Sequence, residues 1–397
     1  MPLSCAREAP NSTTSGGVDQ APSTTSSAES AGRAVYVGDE LLRGYAPVST
    51  LVVPQTSVAR PRFDAVDVHC HWTLQQDSQA LLGAMDELGV RRAVNLSGGS
   101  GAQLDHMLKR FHAAAPDRLL VFCNLDFERI DEANFGTAAV DELRRARRAG
   151  AAGLKVFKTL GLNTRDSAGR IIPIDDPRLD PVWRACGELG MPVLIHSADP
   201  VAFFQPVDAK NERWMQLKRH PDWSFFGPQF PPRDEVLAQR NRVIERHPQT
   251  IFIGAHVAES AEDLAAAGRL LERCPNLYVD LSARVAELGR QPYSAREFLI
   301  KHQDRVLFGT DRYPGRRDQP RNAIYYRFLE TRDEYFDYYD HPFPPEGEWR
   351  IYGVGLPDDV LRKIYADNAE RALAGKRPLD VERGTTATTA PAGDGGR

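Results

Sequence analysis

Short apolar runs alternate with longer segments of helical character through most of this 397-residue chain. Such alternation is typical of repeated βα units, in which helices cover a parallel sheet. There are eight runs, the number that closes a barrel, whereas doubly wound sheets usually have fewer strands. The sequence therefore predicts an α/β fold, a (β/α)8 TIM-like barrel. The predicted strands are residues 64–71, 92–98, 119–126, 153–158, 192–198, 250–257, 276–282 and 305–311, and the predicted helices are residues 78–88, 102–115, 136–148, 181–189, 233–246, 261–273 and 295–301.

Two tails flank the predicted barrel, which would occupy residues 34–375. Residues 1–33 are rich in Ser, Thr, Ala and Gly, and residues 376–397 are similar in composition. Such segments cannot bury enough apolar surface to offset the entropy of ordering them, so we expect both to be disordered. Between the tails we find no sequence repeat and no linker that would divide the globular part.

Charge and the start of the chain bear on partners and localisation. The 50 basic and 54 acidic residues give no basic excess, so nucleic acid is not an expected partner. No apolar run approaches the roughly 20 residues that span a bilayer, so we expect a cytoplasmic protein from the sequence as given. The alternative is an exported lipoprotein, because Cys5 and the Ser/Thr-rich stretch after it resemble the end of a truncated lipoprotein signal. The expected partner is a small-molecule substrate, and a homodimer is left open.

Two aromatic-rich insertions follow predicted strands. Residues 199–232 come after the fifth strand and are rich in Phe, Trp and Pro. Residues 314–353 come after the eighth strand and are rich in Tyr, with Phe and Trp as well. Both would leave the carboxyl-terminal rim of the barrel, where active sites of this fold lie. We interpret them as pocket walls or a lid, with subunit contacts or surface packing as the alternative.

The first predicted strand ends in two histidines, His69 and His71. Side chains alternate between the faces of a strand, so Asp67, His69 and His71 should share one face and Val68 and Cys70 the other. Two imidazoles on one face at the end of a strand can bind one cation. An isolated HxH pair is a weak indication, but this pair lies at the end of the strand where a barrel site would be.

Three further polar residues end later strands of the same barrel: His196 the fifth, His256 the sixth and Asp311 the eighth. Placing an imidazole or carboxylate at the end of an apolar strand is costly unless the group is paired or ligated. Each could singly be a satisfied core histidine or a capping aspartate. Agreement among four strand ends instead predicts one shared metal site.

These strand ends resemble the amidohydrolase superfamily, and within it the single-metal branch that includes decarboxylases. The matching segments are VDVHCHW, VLIHSADP, IFIGAHV, LFGTDRYP and IYADNAERAL, spread over roughly residues 63–374. The resemblance implies that one divalent ion, usually Zn²⁺, is bound by four ligands. It also implies that His256 lies beside the metal as a catalytic residue or an extra ligand. The implied ligands are His69, His71, His196 and Asp311.

Three cationic residues remain candidates for binding substrate. Lys155, on the fourth strand, stands where some superfamily members carry a carboxylated lysine that bridges two metals. In the branch that this chain resembles, a lysine there commonly accompanies a single metal. We therefore expect one metal, with Lys155 as a pocket cation or a structural residue. Arg284 and Arg312 could bind a substrate carboxylate at the rim, with exposed loop arginines as the alternative.

The predicted function is hydrolysis of an amide, ester or lactone of a small molecule by metal-activated water. In that reaction Asp311 would act as general base and then acid, and His256 would polarise the carbonyl. The alternative within the enzyme class is non-oxidative decarboxylation of an aromatic or unsaturated acid, which the aromatic insertions also suit. The alternative of another class is a catalytically inactive small-molecule-binding barrel.

Overall fold

Each of the eight predicted runs forms a parallel β-strand in the computed structural model, which describes residues 48–312, 321–339 and 344–380. Every strand pairs with its neighbours in chain order. The strands are β1 (Ala65–Cys70), β2 (Val90–Asn95), β3 (Leu119–Cys123), β4 (Gly153–Val156), β5 (Val193–Ile195), β6 (Phe252–Gly254), β7 (Leu277–Asp280) and β8 (Val306–Leu307). The predicted fold class, a TIM barrel of parallel strands and alternating helices, is confirmed.

The barrel belongs to the compact unit Val53–Arg397. The other unit is Met1–Val52, of which residues 48–52 are described. The predicted tail of residues 1–33, with Cys5, lies outside the described residues, as do residues 381–397 of the second predicted tail.

Twelve α-helices of five or more residues are found within the described residues, and they include counterparts of all seven predicted ones. No helix in this part of the chain is both long enough and apolar enough to cross a membrane. The helices are α1 (Ser78–Leu88), α2 (Gly101–Met107), α3 (Phe135–Ala149), α4 (Asp180–Glu188), α5 (Trp214–Arg219), α6 (Arg233–Arg246), α7 (Leu264–Arg273), α8 (Val285–Arg290), α9 (Pro292–Lys301), α10 (Arg321–Glu330), α11 (Asp358–Arg362) and α12 (Asn368–Leu373).

Hydrogen bonds beyond β8 join the last strand to the first. The backbone N–H of Asp311 donates to the carbonyl of His69 at 2.7 Å, and that of His71 donates to the carbonyl of Arg312 at 2.6 Å. Both bonds lie past the two residues of β8, at the carboxyl ends of the strands. The closure of the barrel therefore brings Asp311 beside the HxH pair.

Apolar side chains fill the interior of the barrel below its carboxyl-terminal end. Val66, Leu194, Ile253, Tyr278 and Leu307 belong to one buried cluster contributed by different strands. A larger cluster packs the outer face of the sheet against the helices. Because apolar side chains fill the interior, the polar side chains at the strand ends line an open mouth next to a packed apolar layer.

A β-bulge in β1 corrects the predicted alternation of its side chains. Asp67 pairs with Ala93 and Cys70 with Asn95, so β1 contains one more residue than β2 across this step. An extra residue reverses which face the following side chains occupy. Val68 accordingly packs in the interior, while Cys70 packs on the outer face, although the alternation placed them together.

A π-helical turn anchors the last two helices, α11 and α12, to β8. Lys363–Asp367 forms this turn between α11 and α12. The carbonyl of Ile364 accepts a hydrogen bond of 2.9 Å from the N–H of Phe308, just after β8. The side-chain amide of Asn368 donates to the carbonyl of Val306 at 2.8 Å. The very short last strand is thus fixed from outside the barrel as well as by β7.

The described parts of the two aromatic-rich insertions contact one another. The guanidinium of Arg213, in residues 199–232, pairs with Glu287 and, at 2.5 Å, with Glu346 of the second insertion. Arg219 donates to the carbonyl of Pro345 at 3.3 Å. Residues 313–320 and 340–343 lie outside the described residues. A role as pocket wall or lid stays a prediction.

Candidate metal centre

The imidazole of His69 is held from behind by a carboxylate. His69 lies at the end of β1 and is 1% exposed. Its Nδ1 is 2.9 Å from Oδ2 of Asp280, the last residue of β7. Asp67 instead accepts hydrogen bonds from the backbone N–H of His69 and from Thr310, so it orients the backbone and no imidazole ring. The Nε2 of His69 is left facing the mouth of the barrel.

The second histidine of the pair, His71, is held by a hydroxyl. Its Nδ1 is 2.7 Å from Oγ of Ser97, a residue that follows β2. Its Nε2 is 3.2 Å from Oδ1 of Asp311. Burial lowers the pKa of the His71 imidazole, against the raising effect of Asp311. The ring is therefore biased towards the neutral form that can ligate a cation.

Asp311 lies between the two histidines. Its Oδ1 is 3.4 Å from Nε2 of His69, and its backbone adopts a left-handed conformation with φ of 61°. Burial alone would raise the pKa of the Asp311 carboxyl, but electrostatic interaction with His69 and the hydrogen bond from His71 hold it well below its usual range. The group is an ionised carboxylate facing two imidazole nitrogens.

His256 begins a left-handed turn after β6. Residues 256–259 have φ of 57°, 59°, 48° and 50°, although none is glycine. Each such residue costs about 1–2 kcal/mol, so the surroundings must hold the turn. Glu259 does so, because its carboxylate accepts from the N–H of Ser197 at 2.7 Å and pairs with Arg240. Strain of this kind concentrates at functional sites. Here the left-handed backbone conformation directs the His256 ring into the barrel mouth.

Three of these side chains form a group that could hold a cation. One ligand atom each from His69, His256 and Asp311 lies within 4.8 Å of the other two. The His71 Nε2 is next to the same Asp311 oxygen. Imidazole nitrogen with carboxylate oxygen is a donor set that suits Zn²⁺ and other first-row divalent cations. The residues therefore fit a divalent metal.

His196 is near this group, but its Nε2 has other partners. Its ring centroid is 4.5 Å from that of His256. Its Nε2, however, lies 3.0 Å from the carbonyl of Ala198 and 3.5 Å from Oδ1 of Asp199, which also pairs with Lys158. Burial lowers the pKa of the His196 imidazole to about 4. Of the four predicted ligands, His196 is thus the one whose Nε2 has partners outside the group, while His256 offers a donor atom.

The three cationic candidates are all buried. Lys155 is 1% exposed, and its Nζ has no hydrogen-bond partner among the described residues. Burial lowers the pKa of its ammonium to about 8, although Asp311 and Asp280 raise it. Arg284 donates to the carbonyl of its neighbour, and its charge acts on His256. Arg312, predicted as a rim residue, is 5% exposed and lies in the backbone bridge to β1.

The residues that orient the imidazoles were not predicted from the sequence. Asp280 ends the apolar stretch of β7, so the strand-end argument used for Asp311 would have found it. Ser97, Ser282 and Asp199 follow strand ends in the same way. Serine and aspartate are common in loops, however, and their role is visible only when the partner ring is in place.

The parallel (β/α)8 barrel has imidazole and carboxylate groups at its carboxyl-terminal mouth, the arrangement found in barrel enzymes. The chain belongs to the amidohydrolase family, whose family model matches residues 66–374. The resemblance inferred from the sequence is thereby confirmed. No curated protein matches the chain.

Solved structures share the fold at low sequence identity. The 2,6-dihydroxybenzoate decarboxylase from Rhizobium is 19% identical, with a TM-score of 0.50, and the similarity covers 78% of this chain and 98% of that one. A dihydroxybenzoic acid decarboxylase from Polaromonas sp. JS666, with bound manganese and the inhibitor 2-nitroresorcinol, is 15% identical with a TM-score of 0.52, covering 79% and 97%. At such identities the similarity demonstrates the fold.

Proposed function

We propose that this protein is a divalent-metal-dependent enzyme that removes CO₂ from an aromatic or unsaturated carboxylic acid. The observation that carries the proposal is the buried ammonium of Lys155, which has no hydrogen-bond partner among the described residues although it lies in the same barrel mouth as Asp311. An uncompensated buried charge is costly. A substrate carboxylate would supply the missing partner.

The surroundings of Lys155 suit a flat substrate. The ring of Phe157 is half-buried, and its centroid lies 5.3 Å from Nζ of Lys155 and 6.1 Å from the ring of His71. A half-buried aromatic face beside a cation and an imidazole can stack on a planar acid. Arg284 and Arg312 are further candidates for binding a second polar group of the substrate. The substrate class proposed is therefore a carboxylic acid attached to a planar ring or double bond.

The metal in this proposal would be held by His69, His71, His256 and Asp311. Imidazole and carboxylate donors suit Zn²⁺ and Mn²⁺ alike. When bound, such a cation supplies a Lewis acid that holds substrate oxygens and disperses their negative charge. The bound manganese in the Polaromonas structure makes Mn²⁺ as worth testing as the Zn²⁺ that the sequence resemblance implies.

Decarboxylation requires a proton at the carbon that loses CO₂. The carbon–carboxylate bond breaks, its electron pair stays on carbon, and that carbon accepts one proton. Asp311 is the candidate proton donor, because its carboxylate lies at the mouth of the barrel beside the Nε2 atoms of His69 and His71. The Nδ1 atoms of these two imidazoles already have hydrogen-bond partners. It would take a proton from an acidic group of the incoming substrate or from solvent and pass it to the carbon.

Hydrolysis of an amide, ester or lactone is the second candidate. It is favoured by the low pKa of the Asp311 carboxyl, which makes that group a ready base for a water proton. In this reaction water adds to the carbonyl carbon, and the proton taken from it goes to the leaving group. The two candidates use the same residues and differ in whether CO₂ is released or water is consumed.

The experiment uses the full chain loaded with Zn²⁺ or Mn²⁺. Metal content is measured first, and CO₂ release is then followed with hydroxybenzoic and unsaturated acids, in parallel with acid release from lactones, esters and amides. CO₂ release that is lost in Asp311→Asn supports the proposal. The matched control is Asp304→Asn, which changes a buried aspartate paired with Lys363 outside the site. Turnover in the second panel alone would replace decarboxylation by hydrolysis. Metal binding without turnover in either panel would indicate a binding barrel.

A further inference from the structure

Asp280 and Ser282 form a hydrogen-bonded node behind the candidate metal centre. The hydroxyl of Ser282 is 2.9 Å from Nδ1 of His69, 3.0 Å from Nδ1 of His256 and 2.5 Å from Oδ1 of Asp280. Both node residues are buried, at 0% exposure. One serine hydroxyl thus lies within hydrogen-bond distance of two imidazoles, that of His69 in β1 and that of His256 after β6.

The carboxylate of Asp280 can only accept hydrogen bonds at this position. Its Oδ1 accepts from the backbone N–H groups of His256 and Ser282, both at 3.0 Å, and from the Ser282 hydroxyl. Its Oδ2 faces Nδ1 of His69 at 2.9 Å. With three donors on one oxygen, the other oxygen is the acceptor for the imidazole. His69 must therefore carry its proton on Nδ1.

His256 is fixed in the same way. Its Nδ1 lies 2.7 Å from the backbone carbonyl of Ser282, a group that has no proton to give. The one hydroxyl proton of Ser282 is directed to Asp280, so the hydroxyl cannot serve His256 as a donor either. His256 must therefore also carry its proton on Nδ1.

We propose that Asp280 and Ser282 are positioning residues that lock His69 and His256 in the Nδ1–H tautomer, so that both imidazoles direct an Nε2 lone pair into the barrel mouth. A neutral imidazole has one proton, and a ring that carries it on Nδ1 offers Nε2 to a cation. The Nε2 of His69 indeed faces Asp311, in the group of ligand atoms described above. This inference concerns the metal centre of the proposed function and does not depend on which reaction it catalyses.

Asp280→Asn is the sharpest test. The three donors on Oδ1 require an acceptor there, so the amide oxygen of Asn would take that place and the amide NH₂ would face Nδ1 of His69. That NH₂ would force His69 into the Nε2–H tautomer, which cannot ligate. We expect the affinity for Mn²⁺ and Zn²⁺ to fall by about 10- to 100-fold, as for other residues that orient metal ligands. Ser282→Ala should also weaken binding, and Ser282→Thr, which keeps the hydroxyl, should restore it.

Ser197→Ala is the matched control. Ser197 is also 0% exposed and follows β5 at the same barrel mouth, but its hydroxyl has no hydrogen-bond partner among the described residues. A merely structural effect of removing a buried hydroxyl would appear in both serine variants. We expect Ser197→Ala to bind Mn²⁺ and Zn²⁺ as tightly as the unchanged protein.

Nitrogen NMR of the metal-free chain labelled at histidine reads the tautomers directly. The unchanged protein should show Nδ1–H for His69 and His256, each assigned by its own His→Gln variant, and Asp280→Asn should move the His69 proton to Nε2. Unchanged metal affinity in Asp280→Asn, or an unprotonated Nδ1 in the unchanged protein, would overturn the proposal. If the unchanged protein binds neither cation, the proposed function fails, while the NMR result still decides the tautomers.

Discussion

The backbone N–H of Asp311 donates to the carbonyl of His69 at 2.7 Å, and the Asp311 carboxylate oxygen lies 3.4 Å from Nε2 of the same histidine. This residue pair thus contributes to the closure of the barrel and joins two candidate ligands. The backbone bond fixes how far the two side chains can move apart. Small shifts of β8 against β1 should therefore weaken metal binding at the candidate centre before they lower the stability of the fold.

Gly309→Ala tests this sensitivity. A Cβ at Gly309 would lie 3.1 Å from Cβ of His69 and 3.4 Å from Cβ of Ser282, so these neighbours would have to shift by a few tenths of an ångström. We expect weaker Mn²⁺ and Zn²⁺ binding with little change in the unfolding transition. Gly83→Ala in α1, where an added Cβ meets nothing within 4 Å, is the control and should bind both cations normally. Equal affinity in the two variants would contradict the prediction.

Lys155→Met should raise the stability of the protein and weaken its binding of a carboxylic acid substrate. Lys155 is a buried ammonium with no hydrogen-bond partner among the described residues. Replacing it by an apolar side chain of similar length should raise the free energy of unfolding by about 1–3 kcal/mol. The KM for a carboxylic acid substrate should rise by about 10- to 100-fold, the value of a charged hydrogen bond. Denaturant unfolding and steady-state kinetics check both parts.

Lys158→Met is the control for the stability part. Lys158 pairs with the buried carboxylate of Asp199, which would be left without its cation. This variant should lose about 1–3 kcal/mol of unfolding free energy. Two lysine-to-methionine changes three positions apart should thus have opposite signs, and the same sign in both would refute the interpretation of Lys155.

The effect of Lys155 should depend on pH. Burial lowers the pKa of its ammonium from 10.5 to about 8. Below that pKa the group is charged in the folded and unfolded states, and the folded state bears the whole desolvation cost. Above it the folded protein releases the proton before the unfolded chain does, so the cost declines. The stability difference between Lys155→Met and the unchanged protein should therefore narrow as pH rises past about 8, and a constant gap would argue against a buried ammonium.

Ala283→Gly should relieve strain beside the site. Ala283 has φ of 52°, in the left-handed region. A residue with a Cβ destabilises the folded state by about 1–2 kcal/mol in this region. Glycine avoids that cost but loses about 0.5–1 kcal/mol more conformational entropy on folding. We expect a gain of up to about 1 kcal/mol in unfolding free energy. Ala238→Gly in α6 is a similar half-buried change within a right-handed helix, and it should lose stability instead.

Removing the metal should lower the melting temperature. A ligand that binds only the folded state stabilises it by about 2.7 kcal/mol when its free concentration is 100 times Kd. Chelator should therefore lower Tm in the unchanged protein and in Asp304→Asn. In Asp311→Asn, which lacks one candidate ligand, chelator should change Tm much less. A chelator shift of equal size in all three proteins would place the stabilising metal elsewhere.

The order of the strands and most of the candidate site followed from the sequence. Parallel strands end at one edge, so polar residues at the ends of apolar runs, such as His69, His256 and Asp311, could be expected to meet. The alternation within β1 was wrong, because the bulge between Asp67 and Cys70 adds one residue that no propensity distinguishes.

The partners of the His196 Nε2 could not be predicted from the sequence. Its strand-end position is equivalent to that of the other ligands, but Asp199, three residues later, occupies its Nε2. Which way a ring turns depends on hydrogen-bond partners contributed by other loops. The left-handed turn at His256 is a similar case, since it depends on the buried pair of Glu259 and Arg240.

The π-helical turn Lys363–Asp367 has a consequence for tolerance of deletions. It contains one residue more than a regular turn of α-helix would, and that surplus places the carbonyl of Ile364 against Phe308. Loss of a single codon within the turn would restore ordinary helical spacing and rotate everything after it. The chain could then remain helical there while the strand that precedes Asp311 lost its outer support.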